Sequence, residues 1–129
     1  MTVVLDTNVV LTARVPGHPN HPVVLALAAG LLTIAVSTAI MLEYEEIVTA
    51  RASAAQWRQF AALLDLAQQL HGNVRHVEPT FRFRLLAADA DDDKFADCAI
   101  AAEADFVVTD DAHFAALRGS GHKPQPIAP

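Results

Sequence analysis

The sequence predicts an α/β domain built around a central, mostly parallel sheet. Short apolar runs rich in Val alternate with longer segments of helical spacing. The runs are continuous rather than alternating, which marks strands covered on both faces. Two of them, in VVLD and FVVT, stop at Asp6 and at Thr109-Asp110-Asp111. Sites in such folds form beyond the carboxyl ends of the strands, where strand order reverses.

Thr2 to Leu5 is the first buried strand, ended by Asp6-Thr7-Asn8. Pro16 to Pro22 is a loop, and Asn20 is placed to cap a helix over about His21 to Ala29. Pro22 is tolerated in the first turn, where its missing amide has no intrahelical partner. Gly30 ends that helix, and Leu31 to Val36 reads as a second buried strand. Ser37 caps a helix over about Thr38 to Ala50. Ser53 and Gln56 form a capping-box pattern before a third helix. There Trp57, Phe60, Leu63, Leu64, Ala67 and Leu70 keep helical spacing, and Gly72 closes the segment. Most of that stripe is core, with room for one edge to serve a dimer or a partner helix. Val74 to Val77 is a short strand stopped by Pro79. The acidic run Asp89 to Asp93 opens a helix over about Asp92 to Glu103. Phe106 to Thr109 is another buried strand, after which Asp110 or Asp111 caps a short helix to about Leu117. Gly119 to Pro129 is a loop ending in an edge strand or a tail.

The chain has 129 residues, so a single domain over 1–129 is expected. Its 53% apolar content is ample for a core and excludes a disordered chain. Nine basic against fifteen acidic residues give a net charge of -6, which excludes a general basic coat for nucleic acid. A polyanionic partner then needs a local basic patch or an intervening metal ion. Cys98 is the single cysteine, so no internal disulfide forms, which fits a reducing cytoplasm. The apolar N-terminus lacks a basic start and a cleavage site, unlike a signal peptide. The most apolar window, Val23 to Ile40, is divided by Gly30, Thr33, Ser37 and Thr38 and is not a membrane span.

Acid follows a buried strand twice, at Asp6 and at Asp110-Asp111, and lies near the start of two helices, at Glu43 and from Asp92 to Asp97. Each acid alone has a structural reading as a turn residue, a cap or solvated helix surface. Together, converging carboxylates would repel one another and raise each other's pKa. A hard divalent cation such as Mg²⁺ or Mn²⁺ relieves this with oxygen ligands, and can activate water and neutralise charge on a phosphodiester.

The segments VVLDTNVVLTA (Val3 to Ala13), STAIMLEYEEIVTAR (Ser37 to Arg51) and DADDDKFADCAIAAEADFVVTDDAHFAAL (Asp89 to Leu117) resemble, in order and spacing, the PIN-domain family. The resemblance is to its VapC-like members, the toxins of toxin–antitoxin pairs. It implies a three-layer α/β/α sandwich and a Mg²⁺- or Mn²⁺-dependent endoribonuclease. It also implies RNA as substrate, a protein antitoxin as partner, a homodimer and a cytoplasmic location. Residue by residue, Asp6 matches the first acid, in D-T-N, and Glu43 the Glu of the helix begun by Ser37. Asp93 matches the helix-borne acid and Asp111 the acid of VT-x-D. These four are the implied metal-binding and catalytic set. Asn8 and Thr109 match polar residues that orient ligands or water. Asp93 is preferred to Asp92 because its interval to Asp111 resembles the family's and because Asp97 then lies one turn away. Asp97 is a further ligand, a water-holding acid or polar surface. Asp110 departs from the family's small or basic residue and adds negative charge near the substrate path.

Arg82 and Arg84 in FRFR share one face of an extended segment and are the first candidates for RNA contact, with Arg14, Arg51 and Lys94 behind them. Ordinary surface charge is the competing reading. His18 and His21 read as loop histidines, His113 as helix surface and Cys98 as a small core residue. Two rival functions remain: a catalytically silent RNA- or protein-binding module, and another Mg²⁺ phosphohydrolase with an Asp nucleophile. Four acids weigh against the first. The absence of D-x-D at Asp6-Thr7-Asn8 weighs against the second.

Overall fold

The computed structural model describes residues 1–80, 93–109 and 125–129, with Asp93 and Gln125 described by backbone alone. In chain order the elements are β1 (Thr2–Leu5), α1 (Thr7–Ala13), α2 (His21–Ala28), β2 (Thr33–Val36), α3 (Thr38–Arg51), α4 (Ala54–His71), β3 (Val74–His76), α5 (Asp93–Ala101), β4 (Phe106–Val108) and β5 (Gln125–Ile127). The acidic run up to Asp92, the FRFR segment and the short helix expected to about Leu117 lie outside the described residues.

The five strands form one sheet in the order β3-β2-β1-β4-β5, and every pairing is parallel. The chain leaves β1 in one direction through β2 and β3, then returns to the other side of β1 with β4. Right-handed connections place the helices of the two halves on opposite faces. Accordingly α1 to α4 pack among themselves, while α5 packs on β1, β2 and β4. The result is a three-layer α/β/α sandwich. Val3, Val4 and Leu5 point to alternate faces, yet none is more than 1% exposed, so both faces of the central strand are covered.

Local signals explain most boundaries. Ser37 and Ser53 cap α3 and α4, accepting from the amides of Ile40 at 3.2 Å and Gln56 at 3.0 Å. Ile40, Tyr44 and Val48 on α3, and Phe60, Leu64 and Ala67 on α4, are the buried positions at helical spacing. Leu70, in the expected stripe, is instead exposed. Gly72 ends α4 in the left-handed region, at φ 63°. At Gly30, φ is 77° and a Cβ would lie 2.7 Å from Nδ1 of His71, so glycine answers two demands there. Of the two endings the sequence leaves open, an edge strand or a tail, residues Gln125–Ile127 form the edge strand β5, continued by the Thr109 amide donating to the Ile127 carbonyl at 2.8 Å.

Two local features differ from expectation. The sequence suggests no helix between Asp6 and the loop, yet α1 begins immediately after β1. Its Val-Val-Leu-Thr content favours a strand by propensity, and burial of Val9, Val10 and Ala13 overrides that preference. Asn20 stands at the N-cap of α2 but does not cap it with its side chain, which donates to Thr12 Oγ1 at 2.9 Å.

The exposed Glu78 fastens β3 to the start of α3. Its Oε1 accepts from the hydroxyl and amide of Thr38 and bonds Nε2 of His76. Those bonds, the Thr38 hydroxyl first, hold its carboxyl down at about 2, from an ordinary 4.5. A depressed folded-state pKa means stability that is present above about pH 4.5 and lost as pH falls toward about 2. Glu78→Gln should therefore unfold with a shallower pH dependence across that interval, measured by thermal melts. Parallel curves for variant and wild type would show that Glu78 ionisation contributes nothing.

Candidate active site

The strand order reverses between β1 and β4, and the cleft beyond their carboxyl ends is where such sheets place ligands. Asp6 follows β1 directly, and Thr109 follows β4 directly. The Asp6 amide donates to the Val108 carbonyl at 3.0 Å, which aligns the two strand ends. Asp6 is 4% exposed and Thr109 5%. The Thr109 hydroxyl donates to Oδ2 of Asp6 at 2.9 Å, so one buried oxygen is satisfied from the neighbouring strand. Asp6 also begins α1, whose first turn bonds its backbone carbonyl, but its carboxylate does not cap that helix. The side chain therefore does something other than the usual work of a strand-end Asp.

Glu43 comes to the same place on α3. The burial of Ile40, Tyr44 and Val48 fixes the rotation of that helix and leaves Glu43, beside Tyr44, 21% exposed. Thr7 Oγ1 donates to Oε2 of Glu43, and Lys94 Nζ donates to Oε1 at 2.8 Å. Tyr44 adds a second tie, its hydroxyl donating to the carbonyl of Leu5, the residue before Asp6. Burial pushes the Tyr44 phenol well above its usual range, with Cys98, once ionised, and the charges of Asp6 and Glu43 adding to it in that order. The Tyr44–Leu5 bond thus joins the chain neighbours of both acids.

The remaining expected residues divide. Asp97 is 6% exposed on α5, which removes its reading as polar surface. Asp93 is the first residue of α5, and its side chain, with Asp110, Asp111, Arg82 and Arg84, lies outside the described residues. Asn8 is exposed on α1, and the residue of that turn that meets a site acid is Thr7. Arg14 donates to Gln56 at 2.7 Å, and Arg51 closes the last turn of α3. His18 lies in the loop as expected, whereas His21 opens α2; His18 Nδ1 bonds the Asn20 amide and His21 Nδ1 the Ala13 carbonyl. Thr7, Tyr44 and the Lys94–Glu43 pair escaped the sequence. Once α1 is known to start at Thr7, the place of its hydroxyl beside Asp6 follows.

Among the described residues, no three His, Cys, Asp or Glu side chains gather closely enough to hold a metal ion. The donor chemistry nevertheless fits a hard divalent cation. Asp6 and Glu43 offer carboxylate oxygens at the cleft, and Glu43 already accepts a positive charge from Lys94. A soft site is not formed by Cys98, which is buried and whose thiol burial pushes up to about 12.

The family model of the PIN domain matches residues 2–113, and the chain belongs to the PIN-domain family. Its fold is similar to that of a chain in the crystal structure of VapBC2 from Rickettsia felis bound to a DNA fragment from their promoter. The TM-score is 0.61 with 20% sequence identity, over 99% of this chain and 98% of that one. At that identity the likeness is one of fold. No curated protein matches the chain.

The bond from Thr109 to Asp6 is testable without touching an acid. Thr109→Val keeps the shape and removes one donor to a buried carboxylate. It should lower the unfolding free energy by about 1–3 kcal/mol, measured by equilibrium denaturation. A change below about 0.5 kcal/mol would show that the bond does not support the strand ends.

Proposed function

We propose that the protein is a Mg²⁺- or Mn²⁺-dependent endoribonuclease and the toxin of a type II toxin–antitoxin pair. The observation that carries this is the buried Asp6 at the β1–β4 reversal, held by Thr109, with Glu43 tied to the adjacent Thr7. Family membership supports hydrolysis of phosphodiesters, and the fold shared with a VapBC2 chain supports the pairing with a protein antitoxin. In this reading the protein acts in the cytoplasm as a homodimer. Among the described residues no helix is long and apolar enough to cross a membrane.

Asp6 and Glu43 would hold the ion, with Asp93 and Asp111 completing the set and Asp97 as a further acid on α5. When bound, such an ion supplies a Lewis acid that stabilises charge on the phosphodiester and activates water. The chain supplies the rest. Thr109 fixes the orientation of Asp6, Thr7 that of Glu43, and Tyr44 holds the end of β1 against α3. The low exposure of Asp6 keeps bulk water from its carboxylate, and low dielectric strengthens its interactions. Asn8, exposed on α1, would orient water. Arg82 and Arg84 would meet the RNA backbone, offsetting the net charge of -6.

Cleavage of RNA should vanish in excess EDTA and return with Mg²⁺ or Mn²⁺, and Asp6→Asn should abolish it while the protein stays folded. Full activity in EDTA would overturn the metal reading. Hydrolysis of a small phosphate ester with RNA left intact would favour a phosphatase.

The register of the last acid is separately testable. Asp111→Asn should abolish cleavage and weaken Mn²⁺ binding. Asp110→Asn should leave RNA binding unchanged or tighter, most clearly at low salt. The reverse result in Mn²⁺ calorimetry would shift the assignment by one residue and reopen the choice of Asp93 over Asp92.

A further inference from the structure

Lys94 is the one described cation hydrogen-bonded to an acid of the candidate site. Its Nζ lies 2.8 Å from Oε1 of Glu43, and the two side chains are only 26% and 21% exposed. The other oxygen, Oε2, accepts from Thr7. Both Glu43 oxygens are therefore engaged. The partners come from two layers of the sandwich, Lys94 from α5 and Thr7 from α1. A surface ion pair between long side chains contributes little because water screens it and ordering the chains costs entropy. This pair is half-buried, and Glu43 is tied through Thr7 to the turn that begins at the buried Asp6, so its charge matters more to the local balance.

We propose that Lys94 is the built-in counter-cation of the metal-free site, and that a divalent ion binds Glu43 in competition with it. The inference rests on the metal-dependent reading above. In the metal-free protein the ammonium neutralises Glu43 and lowers its repulsion with Asp6. A cation arriving at Glu43 meets an oxygen already committed to Lys94 and a positive charge it must displace. The competition weakens the site toward divalent ions and keeps the carboxylates together in their absence. Lys94 is thus a positioning residue for Glu43, distinct from the acids that bind the ion.

The sign of the effect separates this from a plain structural salt bridge. Lys94→Met preserves the side-chain length and the apolar stem but removes the competing charge. Calorimetric titration with Mn²⁺ alone should show affinity about three- to tenfold tighter in this variant than in wild type. In EDTA the variant should melt at a lower temperature, since Glu43 loses its neutralising partner. The rise in melting temperature on adding Mn²⁺ should be larger. Lys94→Arg, which keeps the charge, should restore wild-type affinity. Equal or weaker Mn²⁺ binding by Lys94→Met, with wild type binding normally, would overturn the competition alone. A wild type that takes up no Mn²⁺ would overturn the metal reading and this inference with it.

Discussion

A carboxylate buried to 4% exposure at the end of a central strand must be compensated, and much of the local structure compensates Asp6. The Thr109 hydroxyl bonds one of its oxygens from the adjacent strand. That bond requires β1 and β4 to be neighbours in register, with Leu5 opposite Val108. The neighbour relation is in turn the reversal of strand order that opens a cleft at this point. The fold and the site are therefore one constraint seen at two scales. The sheet order that leaves a crevice also supplies the hydroxyl that lets an acid stand in it.

The second acid is placed by packing rather than by a strand end. Tyr44 is fully buried, meets Phe60 of α4 edge-on with ring centroids 6.5 Å apart, and donates to the Leu5 carbonyl. It follows Glu43 in the chain, and Leu5 precedes Asp6. One hydrogen bond thus joins the immediate neighbours of both acids and limits how far they can separate. Such support from inner residues holds a site to the tolerance that metal binding and catalysis demand. The chain belongs to the PIN-domain family, and Thr7, Tyr44 and Lys94 make the contacts around its two acids.

Much of the framework was legible in the sequence because its signals are local. Continuous apolar runs marked β1, β2 and β4, serines marked the starts of α3 and α4, and Gly72 marked the end of α4. α1 was not legible, because a seven-residue helix of β-branched residues has no propensity of its own and exists through burial against α2 and α3. The fully parallel pairing of β5 was also hidden, since a three-residue edge strand carries little pattern. At the site, the chemical identity of Asp6 and Glu43 was visible from their positions after a strand and on a capped helix. Their supporting contacts were not, because Thr7–Glu43 and Lys94–Glu43 join residues 36 and 51 positions apart. Only the folded topology creates such pairs.

In the proposed function, the acids at the β1–β4 reversal hold a divalent cation. The most direct test of this is a crystal grown with Mn²⁺ and measured at a wavelength where manganese scatters anomalously. The predicted result is an anomalous peak in that cleft, with oxygens of Asp6 and Glu43 at about 2.0–2.2 Å and the Lys94 ammonium moved off Glu43. A peak elsewhere on the molecule, or a cleft with no peak and the Lys94–Glu43 pair intact at saturating Mn²⁺, would contradict it.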